Sequence, residues 1–222
     1  RAGRRKALLL ADMDSTIVTT ETLDEIAAFA GLKERIAAIT ARAMNGELDF
    51  KAALRERVAM LKGLDAGALE AVWRETALMP GAAALVGTMR ANGARTVLVS
   101  GGFTFFTSRV AERVGFHGHE ANTLLVEAGQ LTGAVAEPIL DKDAKLAALK
   151  RWAAAVGASL DAAATVGDGA NDLPMLQAAG LGVAFRAKPA VAAAARHRVE
   201  HGDLTALLFA QGYRRAEFTP AG

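Results

Sequence analysis

Residues 6–16 read Lys-Ala-Leu-Leu-Leu-Ala-Asp-Met-Asp-Ser-Thr, an apolar run that stops abruptly on two acidic side chains. The run is short and does not alternate, the pattern of a strand buried on both faces of a sheet. The same arrangement recurs twice downstream. Residues 95–99 (Arg-Thr-Val-Leu-Val) lead into Ser100-Gly101-Gly102, and residues 163–167 (Ala-Ala-Thr-Val-Gly) lead into Asp168-Gly169-Ala170-Asn171-Asp172. In open α/β sheets ligands bind beyond the carboxyl ends of the strands. Parallel pairing would therefore bring these three distant segments to one edge.

The intervening sequence supports that topology. Apolar residues recur at three- and four-residue steps over 23–30, 32–44, 50–61, 68–77 and 82–91, with breaks at Asn45-Gly46, Lys62-Gly63, Pro80-Gly81 and Asn92-Gly93. Helices are also predicted over 104–114, 143–156 and 172–179 and from about Pro189, and a further strand over 182–185. Residues 120–139 alternate around Gly129-Gln130, which predicts a hairpin. Strands alternate with helices at both ends of the chain, and five helical patterns separate the first two strands. The expected fold is α/β, a parallel sheet carrying an inserted helical cap.

Composition excludes several functions. The chain has 222 residues, 52% of them hydrophobic, enough to bury a core and to exclude disorder. It has no Cys, which rules out a disulfide scaffold, a thiolate zinc site and a Cys nucleophile. A net charge of +2 and 5% aromatic residues are a poor basis for binding nucleic acid. The apolar run at 7–11 is too short for a membrane span or a secretory core. A cytoplasmic protein with no nucleic-acid or membrane partner is expected.

Asp12, Asp14, Asp168 and Asp172 gathered at one edge would repel one another unless a cation lay among them. None of the four His residues falls in these segments, so the ligands are hard oxygens, which favour Mg²⁺. A carboxylate at a strand end is also a competent nucleophile once a metal neutralises an approaching phosphoryl group. Gly101-Gly102 ahead of a helix leaves N–H groups open to an anion, and the Ser100 hydroxyl adds a donor. Lys145, near the start of a predicted helix, is a candidate counter-charge. Lys142, one turn away, competes with it.

In these segments the chain resembles the phosphoserine phosphatase family of the haloacid dehalogenase-like hydrolase superfamily. The matching residues are Asp-Met-Asp-Ser-Thr at 12–16, Ser-Gly-Gly-Phe at 100–103, Lys145, and Gly-Asp-Gly-Ala-Asn-Asp at 167–172. Glu21, seven residues beyond Asp14, narrows the match. So do Asn45-Gly46-Glu47-Leu48-Asp49-Phe50, Leu54-Arg55-Glu56-Arg57-Val58 and Ala187-Lys188-Pro189. The resemblance runs from about Lys6 to Leu208, without departure at a catalytic position. It implies a Rossmann-like core over 1–17 and 80–222, with a helical cap over 18–79 and a small β-hairpin.

The resemblance also implies Mg²⁺-dependent hydrolysis of O-phosphoserine through a phosphoaspartate, the last step of serine biosynthesis. Asp12 would be the nucleophile and Asp14 the acid and then the base. Asp12, Asp168 and the backbone carbonyl of Asp14 would hold the metal, with Asp172 orienting its water and the lysine. Ser100, Gly101, Lys145 and Asn171 would bind phosphate. Glu21 would take the substrate ammonium and Arg57, selected over Arg55 by the match, the carboxylate, under Met44 and Phe50. The alternatives are a phosphotransferase or a phosphatase for another small phosphomonoester, or a catalytically silent binding module of the same fold.

Overall fold

The structure, a computed structural model, describes residues 3–219. The opening run forms strand β1 (Leu8–Ala11), and four helices follow it: α1 (Thr22–Phe29), α2 (Lys33–Met44), α3 (Phe50–Ala59) and α4 (Gly67–Glu75). The chain returns through α5 (Ala82–Ala91), β2 (Arg95–Phe103), α6 (Thr104–Val114) and β3 (Gly118–Asn122). A hairpin of β4 (Leu124–Glu127) and β5 (Gln130–Val135) precedes α7 (Lys142–Ala155). The chain ends with β6 (Ala163–Gly167), α8 (Leu173–Ala178), β7 (Leu181–Phe185), α9 (Pro189–Ala194), β8 (His197–Val199) and α10 (Ala206–Ala210).

Six strands form one parallel sheet in the order β3-β2-β1-β6-β7-β8. Strand order reverses beside β1, the switch point at which open sheets leave a crevice. The absence of alternation in β1 has its cause here. Leu8 and Leu10 pack with Val97, Val99, Leu149 of α7 and Met175 of α8, whereas Leu9 and Ala11 pack with Leu98, Leu85 of α5 and Phe106 of α6. Both faces of the strand are dry. The four helices after β1 add Ile26, Ile36, Leu54, Val58 and Val72 to the second of these cores, and an antiparallel bridge between Val18 and Leu78 closes the ends of that excursion.

Two expectations need correction. Residues 120–122 belong to β3 and pair in parallel with β2, so the hairpin is confined to β4 and β5. Alternation marks a half-exposed strand but does not name its partner. Strand β2 runs on to Phe103, and its ladder with β3 is interrupted between Val99 and Phe103, which frees Ser100-Gly101-Gly102 from sheet pairing. Edge strand β8, whose first two residues are exposed, carries no apolar run and went unread.

Helix α8 lies against β7 so closely that a Cβ at Gly182 would collide with the Leu176 carbonyl. Gly182→Ala is therefore expected to cost about 3 kcal/mol, at the upper end of overpacking penalties. A lower urea midpoint checks this; an unchanged midpoint would contradict the packing.

Candidate active site

The carboxyl ends of β2, β1 and β6 lie side by side, and each delivers its polar residues there. Asp12 follows β1, with its backbone N–H bonded to Val166 O of β6 at 3.0 Å. Its Oδ1 accepts the Met13 N–H at 2.8 Å and lies 2.8 Å from Lys145 Nζ. Asp172 Oδ1 is 2.7 Å from the same Nζ, and its Oδ2 accepts the N–H groups of Asp168 and Gly169 at 3.1 Å each. Lys145 is completely buried, whereas Lys142 is exposed, so burial separates two lysines that spacing alone left open. Asp141 caps α7 by accepting from Asp143 N and Ala144 N, which sets the helix start and projects Lys145 beneath the sheet edge.

Asp168 lies across from this pair. Thr16 donates to its Oδ1 at 3.4 Å; its Oδ2 is buried without a hydrogen bond, and Lys188 Nζ stands 3.9 Å away. Asp12, Asp168 and Asp172 each bring an oxygen within 4.8 Å of the others. An orphaned buried carboxylate oxygen in an all-carboxylate set fits a hard divalent cation. The side chain of Asp14 lies outside that trio. Its Oδ1 accepts the Thr22 N–H at 3.0 Å, and its Oδ2 lies where a Cβ on Gly102 would approach to 2.5 Å.

The electrostatics follow from one lysine facing several acids. Burial works to lower the Lys145 ammonium, but Asp12 and Asp172 outweigh it and raise it. Burial, then Glu21, lifts the Asp14 carboxyl well above the usual carboxylate range, and burial, then Glu21 and Asp12, does the same to Asp168. Burial and Asp12 push Asp172 up to about 7, against Lys145 and the Gly169 N–H.

Ser100, buried, accepts the Gly102 N–H on Oγ at 2.9 Å. Asn122 ties this bend to the loop before α7, donating to Gly101 O at 2.8 Å and to Leu140 O at 3.3 Å. A Cβ on Gly101 would come within 2.7 Å of Phe50 and 3.3 Å of the Asn171 amide nitrogen, and one on Gly169 within 2.7 Å of Met44 Sδ. Met44 and Phe50 thus lie directly over the sheet edge, where only glycine leaves room. Glu21 accepts from Ser15 Oγ at 2.6 Å, and Ser15 has φ +53°, a conformation uncommon for a residue with a Cβ. Arg57 is buried, with Nε donating to Ala53 O at 3.1 Å; Arg55 is exposed and pairs with Glu137 at 2.7 Å.

Asp12, Asp14, Glu21, Met44, Phe50, Arg57, Ser100, Gly101, Asp168 and Asn171 line a single cavity of about 30 Å³. Lys145 and Asp172 lie just beneath it. Ser15, Asn122 and Lys188 also serve this region, although sequence reasoning assigned them no role. Ser15 and Lys188 stood within the matching motifs at 12–16 and 187–189, which marked their segments but not their roles. Nothing local marks Asn122.

The haloacid dehalogenase-like hydrolase family matches residues 9–177. The chain belongs to that family. A phosphoserine phosphatase of Streptomyces coelicolor is 44% identical over 98% of this member, which spans 53% of that relative's length. One of Lactococcus lactis is 44% identical over 91% of this member and 94% of its own length. A substrate-bound phosphoserine phosphatase complex superposes with a TM-score of 0.89 at 38% identity, covering 92% of this chain and 98% of that one. A phospho-aspartyl intermediate analogue of phosphoserine phosphatase matches equally well. Among the described residues no helix is long and apolar enough to cross a membrane.

The raised carboxyls fix the sign of a pH effect. Without a cation the folded state holds protons that the unfolded chain has released, so the site loses stability as pH rises from the ordinary carboxylate range through about 7. A cation replaces those protons. Mg²⁺ at a hundred times its pH 7.5 Kd is expected to raise Tm by about 5–10 °C at that pH, and the same concentration by less at pH 5.5. Equal gains at both pH values in calorimetry would contradict a site among these buried carboxylates.

Proposed function

We propose that this protein hydrolyses O-phosphoserine to serine and inorganic phosphate through a phosphoaspartate at Asp12, with Mg²⁺ held by Asp12, Asp168 and the Asp14 carbonyl. The observation that carries the reading is the shared cavity. Asp12 and Asp14 lie in it together with an acid and a base of the kinds that an amino acid's ammonium and carboxylate require, Glu21 and Arg57. The names of the relatives agree. Mg²⁺ would supply positive charge to the phosphoryl oxygens.

In the first step the Asp12 carboxylate attacks phosphorus. The Asp12 O–P bond forms, the P–O bond to the seryl oxygen breaks, and Asp14 delivers its proton to that leaving oxygen. In the second step Asp14 takes a proton from water, the water oxygen bonds to phosphorus, and Asp12 leaves. A carboxyl raised by burial suits a group that gives a proton and then takes one back. Lys145, Ser100 Oγ, the Gly101 N–H and the Asn171 amide would hold the phosphoryl oxygens, and Asp172 would orient the lysine.

Helices α1–α4, the proposed cap over 18–79, would set selectivity. Glu21 receives the ammonium and Arg57 the carboxylate. A cavity of about 30 Å³ holds a water or two, so substrate would enter by separation of α2 and α3 from the sheet edge, and their return would exclude water. Phosphate release from phosphoserine and from an aryl phosphate tests this reading. Arg57→Ala is expected to lower kcat/KM for phosphoserine about a hundredfold or more, and that for the aryl ester less than threefold. Equal losses on both would remove Arg57 from recognition. The reading keeps the protein in the cytoplasm, at the serine-forming step of biosynthesis.

A further inference from the structure

Arg57 is almost fully buried, and among the described residues its guanidinium does not meet a carboxylate directly. Nε turns back along α3 to Ala53 O, and Nη1 donates to Thr40 Oγ1 of α2 at 2.8 Å. A guanidinium only donates, so the Thr40 hydroxyl must send its own proton elsewhere. Its two acceptors are Asp24 Oδ1 of α1 at 2.7 Å and Ile36 O of its own helix at 3.1 Å. The shorter, charged one defines a chain running Arg57 to Thr40 to Asp24 across three helices. Asp24 and Thr40 are buried, and neither lines the cavity. Among the described residues Nη2 of Arg57 takes no hydrogen bond, and Arg57 shares the cavity with Glu21 and Asp14.

We infer that Thr40 and Asp24 are positioning residues that aim Arg57 at the substrate carboxylate, an inference that rests on the phosphoserine reading above. The physical point is the interposed hydroxyl. Asp24 balances the buried guanidinium from a distance, so the arginine stays charged without being consumed by a direct ion pair. Without the hydroxyl, Arg57 is free to fold onto Asp24, or onto Glu21 and Asp14, all of which act on it electrostatically. Each such pairing competes with the substrate's carboxylate.

The test is steady-state kinetics of the full chain with Mg²⁺, using phosphoserine and an aryl phosphate that has neither ammonium nor carboxylate. Thr40→Val is expected to raise KM for phosphoserine roughly tenfold or more, the effect of one hydrogen bond to a charged group. Its kcat and its turnover of the aryl ester should stay within about twofold of wild type. Thr40→Ser, which restores the hydroxyl, should recover the phosphoserine KM. Asp24→Asn should move KM in the same direction as Thr40→Val, and it decides the matter if Thr40→Val does not fold. Unchanged KM in these variants overturns the inference. So does a parallel loss on both substrates, which would make the chain of bonds mere adhesive between helices. Wild-type protein that cleaves the aryl ester but not phosphoserine overturns the phosphoserine reading as well.

Discussion

A single ammonium, completely buried, holds two acids far apart in sequence: Lys145 Nζ stands 2.8 Å from Asp12 and 2.7 Å from Asp172. Removing the lysine would leave two buried carboxylates uncompensated, which is far more costly than the net worth of the pairings. The contact requires α7 to cross one face of the sheet, β1 and β6 to be neighbours, and the turn after β6 to fold back on itself. One lysine cannot balance Asp12, Asp172, Asp168 and Asp14 together. The raised carboxyls and the orphaned Asp168 Oδ2 express the remaining deficit, and a divalent cation is the natural answer to it.

Stability and chemistry are thus drawn from one arrangement. The apolar strands β1 and β6 are buried on both faces, which fixes where their carboxyl ends emerge. Polar residues placed just past those ends are then held by backbone N–H groups in addition to Lys145: Asp12 by Met13, Asp172 by Asp168 and Gly169, Asp14 by Thr22. Charges fixed in this way need no reorganisation when a phosphoryl group arrives, which is the condition for electrostatic catalysis.

How much of this was legible in the sequence depended on the range of the forces involved. Strand β1 and the helices of 22–91 could be read because periodicity and breakers are local. The β3 segment was misassigned because alternation says nothing about which strand lies alongside, and β8 was missed because its leading residues face solvent. Within the site, the acids after β1 and β6 stood out by motif. Spacing left Lys142 beside Lys145 and Arg55 beside Arg57; the motif match separated them, and in the fold burial and partners do the same. Asn122, Thr40 and Asp24 act through contacts between elements far apart in sequence, and no local pattern carries that information.

The claim on which the account turns is that residue 12 is the atom donor that meets phosphorus. Protein mixed with phosphoserine and Mg²⁺, quenched in acid and treated with borohydride, would have any aspartyl phosphate reduced to homoserine and located by peptide mass spectrometry. The account predicts that conversion at Asp12, dependent on substrate. Turnover with the label at another residue, or with none at all, would contradict it.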